Sequence, residues 1–305
     1  MTWLSLVLAL LLEQFRPISA QNPILGAYTL FTDQVERNFN AGSYRHGVIA
    51  WTIAVAVPAL IVVLLCGLLY LIHPLLTWVF SIGVLYLTMG FRQFSHAFSG
   101  IAEALKDGDL PVARRALAAW TRQSTSELDH NEVSRVATEQ GLIDSYRYVF
   151  GPVFWFVLLG PIGVVVYRAA TILQQRWGSR PEAEGERFGE FARQAAEAID
   201  WLPIRATAAS FAIVGDFEDA VYCWRQQAQS WINHTYGILL AAGAGAIGVR
   251  LGLPLHQDYT VKFRPELGTG EDADPNTLTC AVGLVWRTVL FWLALLLLLT
   301  LASWF

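Results

Sequence analysis

The chain has 305 residues, 54% of them hydrophobic and only 15% charged, with a formal net charge of −4. A soluble domain carries about a quarter charged residues, so this composition, with a mean hydropathy of +0.42, argues against a soluble enzyme and for an integral membrane protein. The mildly acidic balance argues against nucleic acid as a partner and against a polybasic surface tail. Three separated cysteines (Cys66, Cys223, Cys280) and six scattered histidines show no disulfide framework and no metal-ligand spacing.

Thr2 to Leu12 is apolar but lacks a basic leader and a small-residue cleavage site, and Glu13, Gln14 and Arg16 follow directly. It reads as a retained short membrane helix, too short to span alone, and not as a signal peptide. A polar stretch, Glu13 to Gly47, carries Arg16, Arg37 and Arg45. From Val48 to Met89 there is no Asp, Glu, Lys or Arg. At about 1.5 Å per residue the length suits two spans of a roughly 30 Å hydrocarbon core, turning at His73-Pro74.

The insert Arg92 to Arg147 holds seven basic residues. Two helix starts are legible there: Asp109-Leu110-Pro111, an N-cap before a first-turn proline, and Asp129-His130-Asn131-Glu132, a capping-box pattern. Two or three helices outside the hydrocarbon are expected. Tyr148 to Leu173 is uncharged until Arg168, and the polar stretch Gln174 to Glu197 sets Arg176, Arg180, Arg187 and Arg193 against five glutamates. The basic flanks of the 48–89 hairpin place both sides in the cytoplasm. A single crossing by 148–173 then puts 174–197 outside; breaks at Gly151-Pro152 and Gly160-Pro161 would keep it inside as a re-entrant pair. Ile199–Gly215 and the Gly/Ala-rich Thr235–Gly252 follow, the latter suited to close helix contact. Leu278 to Trp304 has one charge, Arg287, and is long enough to span with some tilt.

The expected fold class is therefore all-α: a polytopic helical membrane protein with short or re-entrant apolar helices and a cytoplasmic helical insert. Residues 1–305 read as a single membrane domain, with 92–147 as a soluble insert and 174–197 as a polar loop.

Gly243-Ala244-Gly245-Ala246-Ile247-Gly248 matches G-x-G-x-x-G, but the segment before it fits a helix and no acidic residue follows at the right distance. Small residues at a helix contact explain it better. Trp3, Trp51, Trp201, Trp286 and Trp304 lie near the ends of apolar runs and suit an interfacial belt. Arg168, Arg205, Arg250 and Arg287 sit within or beside apolar segments, either snorkelling or lining a polar cavity for an anionic group. The carboxylates available for chemistry are Glu13, Glu36, Glu103, Glu139, Asp144 and Asp200. Glu139 and Asp144, five apart, are about 500° apart along a helix. Taken alone they read as a solvated helix end.

Several stretches in order resemble the membrane-bound adenosylcobinamide-phosphate synthases of the CobD/CbiB family and their relative AmpE. They are Asn22-Pro23 with Glu36-Arg37-Asn38; Ala113-Arg114-Arg115-Ala116-Leu117; Gly151-Pro152-Val153-Phe154-Trp155; Tyr167-Arg168-Ala169; Phe188-Gly189; Asp200-Trp201-Leu202-Pro203-Ile204-Arg205; and residues 245–252. The resemblance implies an amide-forming scaffold that joins an aminopropanol phosphate to a corrinoid carboxyl, with Mg²⁺ as a cofactor if the synthase activity is kept. The family's polar signatures differ here. Glu139 matches its first glutamate, but Ile143 and Arg147 replace acids and Asp144 an asparagine. Gln174 replaces an aspartate, residues 234–240 lose the polar pattern, and Asn22 stands for a histidine.

Arg147 to Trp155 looks closer to AmpE. On this resemblance the expected function is a non-catalytic, AmpE-like sensing or regulatory protein of the bacterial inner membrane, with the synthase as the alternative. The candidate polar pocket is Glu139, Asp144, Arg147, Arg168, Asp200, Arg205 and Arg250, with no metal ligand assigned. In the synthase alternative Glu139 and Asp144 bind the metal and Arg147 the phosphate. The expected partners are the lipid bilayer, an anionic small-molecule ligand and further copies of the chain.

Overall fold

The computed structural model describes residues 2–15, 22–179, 187–257 and 259–302. Among them twelve α-helices follow one another. The first four are α1 (Thr2–Phe15), α2 (Pro23–Phe39), α3 (Tyr44–Ile72) and α4 (Pro74–Thr88). Next come α5 (Phe91–Lys106), α6 (Leu110–Thr121), α7 (His130–Ser145) and α8 (Gly151–Leu173). The last are α9 (Glu190–Val214), α10 (Phe217–Gln227), α11 (His234–Ile247) and α12 (Pro275–Ala302). Between α11 and α12 lie five short strands, β1 (Val249–Gly252), β2 (Leu255–Gln257), β3 (Thr260–Lys262), β4 (Glu266–Leu267) and β5 (Glu271–Asp272). Arg16, Arg180 and Trp304, named above, lie outside the described residues, as does the side chain of Arg92.

The chain forms two compact units, Met1–Gly90 with Gly151–Pro203, and Phe91–Phe150 with Ile204–Phe305. In the first, α3 packs on α2, α4 and α8, and α1 packs on α4. Its core includes Val35, Ala50, Ala54, Leu173, Trp177 and Phe188. The turn at His73 forms as expected: its ring Nδ1 accepts the Leu75 N–H at 3.1 Å, capping α4, whose first residue is Pro74. The two halves of the hairpin are unequal, however. α3 has 29 residues and α4 only 15, about 22 Å at the α-helical rise and shorter than the hydrocarbon core. Pro58 inside α3 removes the N–H that would bond the Ala54 carbonyl, and the Tyr28 hydroxyl of α2 donates to that carbonyl instead, at 3.3 Å. In α8 the break falls at Gly160 (φ 65, ψ −151), a conformation open only to glycine. Gly151-Pro152 stays helical, after a π-helical turn at Tyr146–Phe150.

In the second unit α5, α6 and α7 fold the 92–147 segment, and α7 packs on α5, α6, α11 and α12. Both expected helix starts are present. Asp109 accepts from Val112 N at 3.1 Å. Asp129 and Glu132 complete a reciprocal capping box, at 2.7 and 2.9 Å. Close contact of α11 with α10 rests on its small residues: a Cβ on Gly245 would lie 2.5 Å from the Asp219 carbonyl oxygen. The strands were not expected. β1 pairs antiparallel with β4 (Leu251 opposite Leu267) and parallel with β5 (Val249 opposite Glu271), while β2 and β3 form a hairpin. Strands of two to four residues are too short to show a period-2 pattern, and the partners of β1 lie beyond the β2–β3 hairpin.

Three helical stretches are long and apolar enough to cross a membrane: Tyr44–Ile72, His130–Gly178 and Pro275–Ala302. Leu60, Leu64, Leu68 and Leu71 form an exposed stripe on α3. Apolar faces left so uncovered need hydrocarbon and not water. Trp51, in the second turn of α3, packs edge-on against Phe191 at 5.3 Å. Arg287 is exposed and donates to the Val214 carbonyl at the end of α9, at 3.0 Å.

Candidate functional site

The densest buried polar cluster in the second unit is built on α7. Glu132, Arg135 and Glu139 are spaced i, i+3, i+7, which puts them on one helical face. All three are more than nine-tenths buried. Burying charge is costly unless each one is paired, and the network meets that demand. Glu139 Oε1 accepts the Gly252 N–H at 2.8 Å, and both its oxygens accept from the Arg264 guanidinium, at 2.7 and 3.1 Å. Arg264 also donates to the carbonyls of Gly252 and Leu253, at 2.6 and 3.2 Å, and lies over the Trp231 ring. Arg135 donates to the Pro254 carbonyl at 2.8 Å. Glu132 accepts from the backbone N–H of His256 at 3.1 Å and pairs with its ring Nδ1 at 2.8 Å. The hydrogen bond to Glu132, with that carboxylate's charge, raises the His256 pKa above its ordinary 6.5.

One turn further along, Asp144 serves a separate set of partners. It accepts from the Trp120 indole at 2.9 Å and the Gln140 amide at 3.0 Å, with Arg147 at 3.9 Å. Arg147 donates to the Tyr236 hydroxyl at 3.1 Å and packs over the same ring, 4.9 Å from its centroid. Asp144 is 5% exposed, so a solvated helix end is incorrect for it as for Glu139. The insert's helices bury the face that a lone α7 would show to water. A polar cavity of about 300 Å³ adjoins the first cluster, lined by Asp129, Asn131, Glu132, Arg135, Pro254 and Asp272 among others.

Of the residues singled out in the sequence, Glu139, Asp144, Arg147, Arg205 and Arg250 belong to this unit. Arg250 on β1 pairs with Asp272 of β5 at 2.8 Å and with Glu266 of β4 at 3.9 Å, so it ties the small sheet together. Arg205 is half-buried on α9. Arg168 on α8 and Asp200 on α9 belong to the other unit. There Arg168 lines a cavity of about 340 Å³ whose wall is otherwise mostly apolar. Glu132, Arg135, Tyr236, His256 and Arg264 were missed. The helical spacing could have found the first two; Arg264 lies 125 residues from its partner, and no local pattern announces it.

The carboxylates of the α7 clusters do not form a seat for Mg²⁺. That ion takes oxygen ligands at about 2.0–2.1 Å in octahedral geometry, whereas both oxygens of Glu139 are held by a guanidinium and Asp144 faces other partners. The G-x-G-x-x-G match is also no nucleotide site. It occupies the C-terminal part of α11, with Gly248 as a left-handed cap (φ 66, ψ 43), where carbonyls and not N–H groups are presented.

These features define a helical membrane protein with a buried, ion-paired helix face beside a polar cavity. A family model described as CobD/Cbib protein matches residues 6–285, and the chain belongs to that family. A protein of Stutzerimonas stutzeri (strain A1501), named "Cobalamin biosynthesis protein CobD", is 38% identical over 97% of both chains. Proteins of the same name from Chromobacterium violaceum and Streptococcus sanguinis (strain SK36) are 36% and 25% identical. The first covers 73% of this chain and 71% of its own length, the second 95% of each. No solved structure matches.

These relatives overturn the expected AmpE-like, non-catalytic regulatory role, because every one is named for cobalamin biosynthesis. Acids replaced within the compared motifs do not empty the protein of buried charge. α7 keeps Glu132, Glu139 and Asp144 buried, and Arg264 supplies a counter-charge from outside the compared motifs.

Proposed function

We propose that the protein is an adenosylcobinamide-phosphate synthase of cobalamin biosynthesis, forming the amide between adenosylcobyric acid and aminopropanol phosphate. One observation carries this reading: the end-to-end 38% identity with a relative named for cobalamin biosynthesis. The polar clusters support it. An aminoalkyl phosphate presents an ammonium at one end and a dianion at the other. The cavity beside α7 offers carboxylates (Asp129, Asp272) to the ammonium and Arg135 to the phosphate; Arg147, held by Tyr236 and Asp144, lies about 18 Å further along the helical run and outside that lining. Glu139, fixed by Arg264, orients the Gly252 backbone at the cavity's edge and does not act as a metal ligand. The protein would act as a multi-pass protein of the bacterial inner membrane, with 92–147 on the cytoplasmic side.

The test is complementation of a bacterial cobalamin auxotroph lacking its own synthase. The wild-type chain should restore growth on adenosylcobyric acid, and Arg135→Gln should restore it poorly while remaining in the membrane at normal abundance. Failure of the wild-type chain to rescue, with the protein present in the membrane and growth restored by supplied cobinamide, defeats the proposal.

A further inference from the structure

Two residues beyond Pro254, which lines the cavity beside α7, His256 stands on β2. Its ring Nδ1 lies 2.8 Å from Oε1 of Glu132, itself a lining residue, and its backbone N–H donates to the same oxygen at 3.1 Å. The other oxygen, Oε2, accepts the Asp129 N–H at 2.9 Å. An ionised carboxylate can only accept, so Nδ1 carries the proton of the neutral ring and Nε2 keeps its lone pair. Among the described residues no hydrogen bond is made to Nε2, and the side chain is 62% exposed. A buried carboxylate that fixes the tautomer of an imidazole and leaves its far nitrogen free prepares that nitrogen to accept a proton.

The cavity supplies a proton to accept. Arg135, buried and with no hydrogen-bond partner at Nε, is the cation offered to the phosphate. Its Nη2 lies 3.9 Å from the Glu132 oxygen that holds His256. The guanidinium and ring nitrogens are therefore no more than about 7 Å apart, a gap matched by a two-carbon aminoalkyl phosphate, about 5 Å from phosphorus to nitrogen. The Asp129 carboxylate, offered to the ammonium, also acts on the His256 ring. Phosphate on Arg135 thus brings the ammonium toward His256.

We propose that His256 is the catalytic base of amide formation: Nε2 takes one proton from the substrate ammonium, and the freed amine attacks the corrinoid carboxyl, activated as an acyl phosphate. The C–N bond forms as the acyl C–O bond breaks, and the second proton of the nitrogen leaves on the departing phosphate. Glu132 is a positioning residue that holds the ring and stabilises the imidazolium. The proposal rests on the synthase reading and adds the group that moves the proton. The hydrogen bond to Glu132 and its charge, with Asp129 and Glu127 beyond, raise the ring pKa above 6.5. The base form therefore grows as pH rises through that higher value.

The test is turnover by the full chain in detergent, with adenosylcobyric acid, aminopropanol phosphate and ATP as its magnesium salt, the amide product being measured over about pH 5.5 to 9. Wild-type kcat should fall as pH drops through the raised His256 value. His256→Gln, which keeps a donor for Glu132, should lower kcat about a hundredfold, leave KM for aminopropanol phosphate within about twofold and lose that acid limb. A kcat within about tenfold of wild type, or an acid limb unchanged in His256→Gln, overturns the proposal and leaves the synthase reading standing. No amide from the wild-type chain at any pH overturns both.

Discussion

Arg264→Met would leave Glu139 negatively charged at 5% exposure, with the Gly252 N–H its remaining hydrogen-bond donor of those described above. The carbonyls of Gly252 and Leu253 would lose a donor as well. Removing one partner of a buried ion pair costs about 3–5 kcal/mol, because the other charge stays desolvated. The Arg264 and Glu139 side chains are 16% and 7% exposed, so solvent screening reduces this little. At roughly 3 °C per kcal/mol for a unit of this size, the unfolding midpoint should fall by about 10 °C.

The double variant Arg264→Met/Glu139→Gln removes both charges and keeps an acceptor for Gly252. It should lose only about 1–2 kcal/mol, since a buried pair replaced as a whole is often nearly neutral. Thermal unfolding of the four proteins of the cycle, in one detergent and at one pH, gives the coupling, expected at no less than about 2–3 kcal/mol, the Arg264→Met loss less that of the double variant, before the Glu139→Gln loss is added. If the double variant loses the sum of the two single losses, the pair is not coupled and the buried-network reading of α7 fails.

Two further outcomes follow from the geometry. The raised His256 pKa means that its pairing with Glu132 contributes fully below 6.5, the value in the unfolded chain, and is lost as pH rises through the higher folded value. Asp129 and Glu127 push the same way. The midpoint advantage of wild type over His256→Gln should therefore be largest near about pH 6 and shrink as pH climbs above that; a constant difference would refute the pairing. Gly160→Ala should destabilise by about 1–3 kcal/mol through backbone strain alone, because a Cβ there meets nothing within 4 Å. Gly26→Ala, equally unobstructed but helical, should stabilise by up to about 1 kcal/mol. Both are read from unfolding midpoints, and equal signs would mean that the Gly160 break is not a fixed feature.

Much of the fold was legible because its causes are local. The capping box at Asp129–Glu132, the turn at His73-Pro74 and the tight α10–α11 contact each depend on a few adjacent residues, and each forms as the spacing implied. The α7 cluster was legible only in part. Its helical face could be drawn from the positions of Glu132, Arg135 and Glu139, but whether that face meets water or protein depends on α5, α6, α11 and α12. The functional inference failed for the same reason. A motif shows only which acids it has lost, while the balance of charge is struck between distant residues such as Glu139 and Arg264.

By itself the sequence determined that this is a helical membrane protein of the CobD/CbiB kind, since the length and apolarity of a segment decide whether it can lie in hydrocarbon. Tertiary structure alone decided which charges are buried, which carboxylate answers which arginine, and that Pro58 and Arg168 line one cavity. Those outcomes depend on distances between segments far apart in the chain, and a buried charge has no stable state until its distant partner arrives.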